Sequence, residues 1–445
     1  MKKTIYSIFS ALLLANGLMS CGLTTTNEVI SPNNASLSSV TSNATKGQLD
    51  ALAIGQIGRA RDGVDTYHQV VGTAGKELFN FNSTENRWMT ELNGTKPLDN
   101  SNFYSGATTA FGPAVRQANT LIAAVANTKS VTAQEASAYL GLANTFKGLA
   151  NLYELNVQYT NGIRLNVEDP LKPSKFATYE ESLAGIKKFL DDGAAQLDAA
   201  GATFPFAMPA TYEGFNTPAN FKKFNRAIAL RVAIYQKDWA GAAALLPQTF
   251  LSETGSLTAG PAHSFNPTNP DVGNPLINTS SVRIVGVEKL WNDAEAGDLR
   301  LTNKLQVINP SISFTNGVVY ATKYLANMYN SASSSVPIIR NEELVLIAAE
   351  VATQQGKTAD AVKYINIVRT AAGLKNYAGT TDKDALINAI LKERIYSLWY
   401  EGHRWIDMRR YGKLGEIMLP VAGMTIYDKM PRPLAEVNWD IANPQ

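Results

Sequence analysis

Cysteine occurs once in the 445 residues, at Cys21, so the chain cannot form an internal disulfide. The fold must hold by burial, and a chain of this length can do so because the buried fraction rises with size. Excess charge is also missing. Forty Lys and Arg against 38 Asp and Glu leave a formal +2, with no basic block. That balance excludes the electrostatic footprint of a nucleic-acid binder. Histidine is scarce, and no pair among His68, His263 and His403 has metal-ligand spacing. There is no Gly-rich phosphate loop and no Gly-x-Ser-x-Gly elbow. No metal, cofactor or enzyme chemistry is therefore expected. Beyond the first 20 residues no stretch is apolar enough to span a bilayer, which takes roughly 20 residues.

What is present begins at the N-terminus. Lys2 and Lys3 precede an apolar run from Ile5 to Ala15, too short to cross a membrane. Leu18-Met19-Ser20-Cys21 then has an aliphatic residue at −3, a small residue at −1 and cysteine at +1. Small residues before a cut suit a signal peptide, and the cysteine separates lipidation from simple secretion. A secretory cut with a chance cysteine beside it is the plainer alternative. Residues 1–20 are read as a lipoprotein signal peptide, with Cys21 as the lipidation site. Each buried methylene of the acyl chains adds roughly 0.8 kcal/mol of membrane affinity. Residues 21–45, rich in Ser, Thr and Asn, read as a flexible tether. Residues 46–445 read as a single helical domain.

Helical periodicity dominates that domain. Leu49, Leu52, Ala53 and Ile57 form one stripe; Val115, Ala118, Ile122 and Val125 form another. Leu142, Phe146, Leu149 and Tyr153 form a third, in a segment opened by Thr132-Ala-Gln-Glu135. There the Thr side chain can accept from the amide three residues on, while the Glu reaches back. Thr178-Tyr-Glu-Glu181 repeats the device ahead of Leu183, Ile186, Leu190 and Leu197. Further helices fit 220–237, 239–246, 340–355, 358–371 and 382–411. Several form pairs joined by short turns, and each pair exposes an apolar face that only a neighbour can cover. The expected fold is mainly α, with tetratricopeptide-like helical pairs sharing one core.

Residues 251–335 read as a loop-rich insertion over that core. Pro261, Pro267, Pro270 and Pro275 exclude a helix from its first part. Ile312 to Tyr320 reads as a small β-hairpin, since Asn316-Gly317 supplies the two positive-φ positions of a tight turn.

Two clusters are candidates for function. Glu393, Glu401 and Asp407 could pose as an acid/base set facing a cleft. Their spacing to Arg404 and Arg410 favours ion pairs along a helix instead, with Arg340 and Arg394 as further structural partners. Gly402 would let a neighbouring helix approach. The second cluster mixes rings with amides and a guanidinium: Phe79, Phe81, Asn86, Arg87, Trp88 and then Asn102-Phe103-Tyr104. Pyranose C–H faces stack on rings, and polar side chains take the hydroxyls. The bland reading is that these rings anchor a loop to the core. Trp291 is a second candidate.

The C-terminal third resembles the SusD/RagB family. Arg340 opens a helix that reaches Ala348-Ala349-Glu350, with Val351 in the last small position. Ala361 to Leu374 is similar to the family's next helix and exit. Glu393-Arg394, Glu401-Gly-His-Arg-Trp405 and Asp407-Met-Arg-Arg410 follow in the family's order. Asp298-Leu-Arg300 resembles the family's Asp-Pro-Arg with leucine for proline, and Arg164 stands where proline is usual in the Tyr159–Leu165 turn. The resemblance implies an outer-membrane lipoprotein that binds oligosaccharides and delivers them to a SusC-like TonB-dependent transporter. A peptide-binding, RagB-like protein and a helical-repeat envelope scaffold are the alternatives. It also implies display at the cell surface. The run after Cys21 lacks the acidic residues common in surface-displayed relatives, so the periplasmic face stays open.

The lipidation reading predicts that Cys21→Ala moves the protein from the membrane fraction to the soluble fraction and removes palmitate labelling. Unchanged membrane association in that variant would contradict it.

Overall fold

The computed structural model describes residues 37–169, 171–315 and 319–444. Cys21, the signal segment and the Asn316-Gly317 turn lie outside them. The helices used below are α1 (Leu37–Asn43), α2 (Lys46–Arg59), α3 (Val64–Ala74), α4 (Gly112–Asn127), α5 (Ala133–Gln158), α6 (Tyr179–Ala199), α7 (Pro218–Tyr235), α8 (Trp239–Leu245), α9 (Asn341–Gln354), α10 (Thr358–Ala371), α11 (Lys383–Ser397), α12 (Arg404–Arg410) and α13 (Leu434–Ala442). Both expected capping boxes form, at Thr132–Glu135 and Thr178–Glu181, and Thr45–Gln48 forms a third. Each satisfies amides that have no partner inside the helix.

Helices α4 to α7 pack each on the next, and α9 packs on α10 and α11. The stripes lie where periodicity puts them: Leu49, Ala53, Ile57, Leu142, Phe146, Leu149 and Tyr153 are all buried. Helix α5 is the hub. From Ala138 onward nearly its whole circumference is buried, polar residues included. The Asn144 amide donates to Gln196 at 2.8 Å, and the Asn156 amide to the Tyr67 hydroxyl at 2.9 Å. Glycines let α5 and α6 approach closely. A Cβ on Gly193 would sit 3.3 Å from the Gly141 carbonyl, and one on Gly141 would strike Leu197 at 2.6 Å.

The strands are β1 (Leu78–Asn82), β2 (Ala262–His263), β3 (Val282–Gly286), β4 (Leu305–Thr315), β5 (Val319–Ala326) and β6 (Val336–Pro337). Four make an antiparallel sheet in the order β1-β3-β5-β4, and β2 pairs with β6. The expected hairpin is thus one edge of a larger sheet, with Phe314 opposite Tyr320. Strand β1 departs from the loop expected there: Phe79 faces Val285 and Phe81 faces Arg283 across the ladder.

Two expectations need correction. Residues 37–43 of the supposed tether form helix α1, which packs on α4; Val40 is buried and Asn127 donates to the Thr41 carbonyl at 3.0 Å. A Ser/Thr-rich run hid a single apolar anchor. Residues 382–411 are two helices, not one. Tyr400 (φ 66) and Gly402 (φ 77) enter the left-handed region and break the helix. A Cβ on Gly402 would also meet the Tyr67 ring at 2.7 Å.

That break redirects the charges. Asp407 and Arg410 do pair along the helix, at 3.0 Å. Glu401 and Arg404 do not. Glu401 binds Arg340 at 2.8 Å and lies 3.6 Å from Lys304, while Arg404 donates to the Gly75 carbonyl at 2.9 Å. Glu393 bridges Arg300 and Arg369, each at 2.7 Å. Arg394 binds Asp407 at 2.6 Å, and Arg410 reaches Glu350. All these groups are nearly free of solvent. Removing one member of such a pair costs about 3–5 kcal/mol, because its partner is left charged in the core.

Burial alone would raise the Glu401 carboxyl, but the charges of Arg340 and Lys304 override it and hold it at about 2. A carboxyl lowered on folding stabilises above its unfolded value, near 4.5, and that contribution fades as pH falls toward 2. Glu401→Gln should therefore lower stability at pH 7 by about 3–5 kcal/mol. Urea denaturation at pH 7 and pH 3 should show the gap to wild type narrowing in acid. A gap that is constant across that range would contradict the ion-pair assignment.

Candidate ligand-binding site

The structure turns most of the aromatic cluster inward. Phe79 and Phe81 stand on β1; Phe79 meets Tyr320 edge-on at 4.8 Å, and Phe81 lies 5.6 Å from Phe314. Trp88 sits in a single helical turn, Arg87–Thr90, and is 7% exposed. Tyr104 is 1% exposed, with its hydroxyl donating to Glu91 at 2.8 Å. Trp291 is wedged edge-on against Tyr396 and Trp399 at 5.4 and 5.6 Å. These five rings have no free face for a ligand. Their burial corrects the reading of them as contact residues: they anchor the site's frame. Phe79 and Phe81 are covered because β1 pairs with β3 and is buried on both faces, and Tyr104 because its hydroxyl is held by Glu91.

What remains at the surface is the outer edge of the same cluster. Asn86 is exposed, and Arg87 and Phe103 are half-buried. Phe103 stacks at a tilt on Trp88 with centroids 4.6 Å apart, and the Arg87 guanidinium lies 5.7 Å from the same ring. Arg87 is itself fixed: its Nε donates to Glu85 at 2.7 Å, and it also reaches Asn102. The Asn102 amide continues to Glu91 at 2.9 Å. The result is a rigid ring edge bordered by a guanidinium, a carboxylate and an amide. Phe103 belongs to the cluster read from the sequence, but nothing local distinguishes its exposure from that of Tyr104.

Two larger hollows lie elsewhere. One, of about 760 Å³, runs between α1, α4, α5, the 164–176 segment and α13. Its wall is mainly apolar, with Phe176 and Trp439. Its charges are largely paired within the protein: Arg164 holds Glu436 at 2.9 Å and also Asp440, and Lys147 holds Glu168 at 2.8 Å. Arg164 thereby ties α13 to the body. Glu154 in this wall is pushed up to about 8 by burial and by the Glu436 charge, so it is neutral at pH 7. The other hollow, of about 500 Å³, lies among α7, α8, α9, α11 and α12.

The would-be acid/base carboxylates do not face either hollow. Glu393 and Asp407 are enclosed by arginines, and Glu401 borders a void of about 10 Å³, room for roughly one water. Burial lowers His68 to about 4, His263 to about 3 and His403 well below its ordinary value, so all three are neutral near pH 7.

Taken together, stacked helical pairs, a sheet laid over them and shallow polar-aromatic surfaces define a helical-repeat protein built around fixed hollows. Residues 288–443 match the sequence pattern of the SusD family. SusD-like protein P38 from Formosa agariphila is 31% identical over 137 residues, which are 29% of this chain. That match spans only 24% of the relative's length. Surface glycan-binding protein A from Bacteroides thetaiotaomicron has a similar structure, with a TM-score of 0.71 at 14% identity over 90% of this chain and 98% of that one. Its complex with laminarihexaose gives a TM-score of 0.69 at 13% identity, over 89% and 98%. The C-terminal third thus carries the SusD-family pattern, and the fold is the one these solved structures share. Among the described residues no helix is long and apolar enough to cross a membrane.

Proposed function

We propose that this protein is a non-catalytic, lipid-anchored outer-membrane protein that captures oligosaccharides and delivers them to a SusC-like TonB-dependent transporter. One observation carries the reading: the fold is shared, over about nine-tenths of both chains, with a surface glycan-binding protein that also forms a laminarihexaose complex. Attachment through Cys21 would place it on the cell surface. The glycan site is assigned to the edge formed by Asn86, Arg87 and Phe103. The part of the half-buried Phe103 ring left at the surface would meet pyranose C–H groups, and the fixed polar groups beside it would take the hydroxyls. The 760 Å³ groove suits a sugar less well, because its wall is mainly apolar and most of its charged side chains are already paired.

Calorimetry against a panel of neutral oligosaccharides, laminarihexaose among them, and of short peptides tests this. Phe103→Ala should lose about 2 kcal/mol of oligosaccharide affinity, near thirtyfold, with the melting temperature little changed. Trp88→Ala should instead lower stability by about 3–5 kcal/mol. Trp439→Ala, in the apolar groove, should leave oligosaccharide affinity unchanged. Wild-type oligosaccharide binding untouched by Phe103→Ala would move the site, and binding of peptides alone would replace the glycan reading.

A further inference from the structure

Several turns in the repeat stack use glycine in the left-handed conformation: Gly356 (φ 72), Gly373 (φ 76) and Gly412 (φ 68). After α7 the corresponding residue is Lys237, with φ 57. Its amide donates to the Ile234 carbonyl at 3.2 Å, and the Asp238 amide to that of Ala233 at 2.9 Å, so the backbone closes the helix as it would with glycine. A β-carbon is disfavoured in that conformation. The lysine thus holds a strained position where glycine would fit freely, and its side chain lines the 500 Å³ hollow.

The rest of that hollow has a consistent chemistry. Lys383, exposed at the start of α11, lines it too, and neither Lys237 nor Lys383 has an ion-pair partner among the described residues. Lys413 adds a third ammonium, 2.7 Å from Glu416. Arg410, behind them, is neutralised by Glu350 and Asp407. Asp384 is the acidic member of the lining. Trp239 is half-buried, and its indole N–H meets no acceptor among the described residues. The exposed Asn388 amide is likewise unpartnered. Gln354 donates to the Tyr411 hydroxyl at 3.3 Å, which leaves its carbonyl oxygen for another donor.

We propose that this groove is a second binding site, for an acidic saccharide: Lys237 and Lys383 hold uronate carboxylates, Trp239 takes a pyranose face, and Asn388 and Gln354 take hydroxyls. The choice of a saccharide rests on the glycan reading above, whereas the location rests on the groove itself. Helices wall the groove, so it presents no free strand edge to pair with an extended acidic peptide. Side-chain amides and an indole match a sugar ring instead. Lysine contacts of this kind weaken with salt, because exposed charges are screened.

Calorimetry on the mature protein with tetragalacturonic acid tests the proposal, with laminarihexaose and hexaglutamate as comparators. Lys237→Gly relieves the strained turn and Lys383→Ala alters an exposed residue, so the double variant keeps the fold. It should bind tetragalacturonic acid at least about tenfold more weakly, with a smaller salt dependence, and keep its affinity for neutral oligosaccharides. Phe103→Ala should leave tetragalacturonic acid binding intact. The proposal is overturned if the wild type ignores tetragalacturonic acid, if the double variant binds it as well as wild type, or if Phe103→Ala abolishes it. Hexaglutamate binding as tightly, and lost in the same double variant, would overturn the saccharide class. Neutral oligosaccharide binding that depends on Phe103 is read separately, so failure of this groove is distinct from failure of the glycan reading.

Discussion

The buried lattice of arginines and carboxylates is the constraint on which the rest of this structure depends. Arg340, Arg369, Arg394 and Arg410 each meet a carboxylate away from solvent, and those carboxylates come from α9, α11, α12 and the turn between the last two. Such pairs add little net stability over a well-packed apolar core, but breaking one is costly. They therefore fix which helix end lies against which. The turn at 398–403 is held this way through Glu401, and from it Trp399 donates to the Glu77 carbonyl at 2.8 Å while Arg404 takes that of Gly75. Residues 75–77 lead directly into β1, and β1 leads to the Arg87–Phe103 edge. The 398–404 segment thus bears, through Gly75 and Glu77, on a surface about 300 residues earlier in the chain.

The sheet is the second support. Trp291 packs beside Gly286, where a Cβ would strike the indole at 2.7 Å, and against Trp399 of the same turn. Phe79 and Phe81 close the sheet onto the β4–β5 hairpin. The proposed ligand surface, mounted on such a frame, would have little freedom to lose on binding, which favours affinity from few contacts.

Local chemistry made much of this legible in the sequence. The capping boxes, the helix pair 341–371 and the stripes of α2, α5 and α6 follow from periodicity and from short-range hydrogen bonds, which a sequence carries explicitly. Short-range logic failed where distant contacts decided the outcome. The 382–411 segment has helical periodicity, yet the packing of Gly402 on Tyr67 and the Glu401–Arg340 pair break it. Strand β1 needed β3, some 200 residues away, to become a strand. Helix α1 depends on α4 for its burial. The aromatic and polar cluster is recognisable as a region in the sequence, but which of its rings face outward depends on those same partners. Phe103 and Tyr104 are neighbours in sequence with opposite fates, because Glu91 captures the Tyr104 hydroxyl.

The central claim is that this rigid helical body works as the capture partner of a membrane transporter. Affinity purification of the full-length protein from detergent-solubilised outer membranes of its native host tests that most directly. The account predicts recovery in a stable complex with a β-barrel protein of the TonB-dependent class. Recovery of the free protein alone, under conditions that keep other envelope complexes intact, would contradict it.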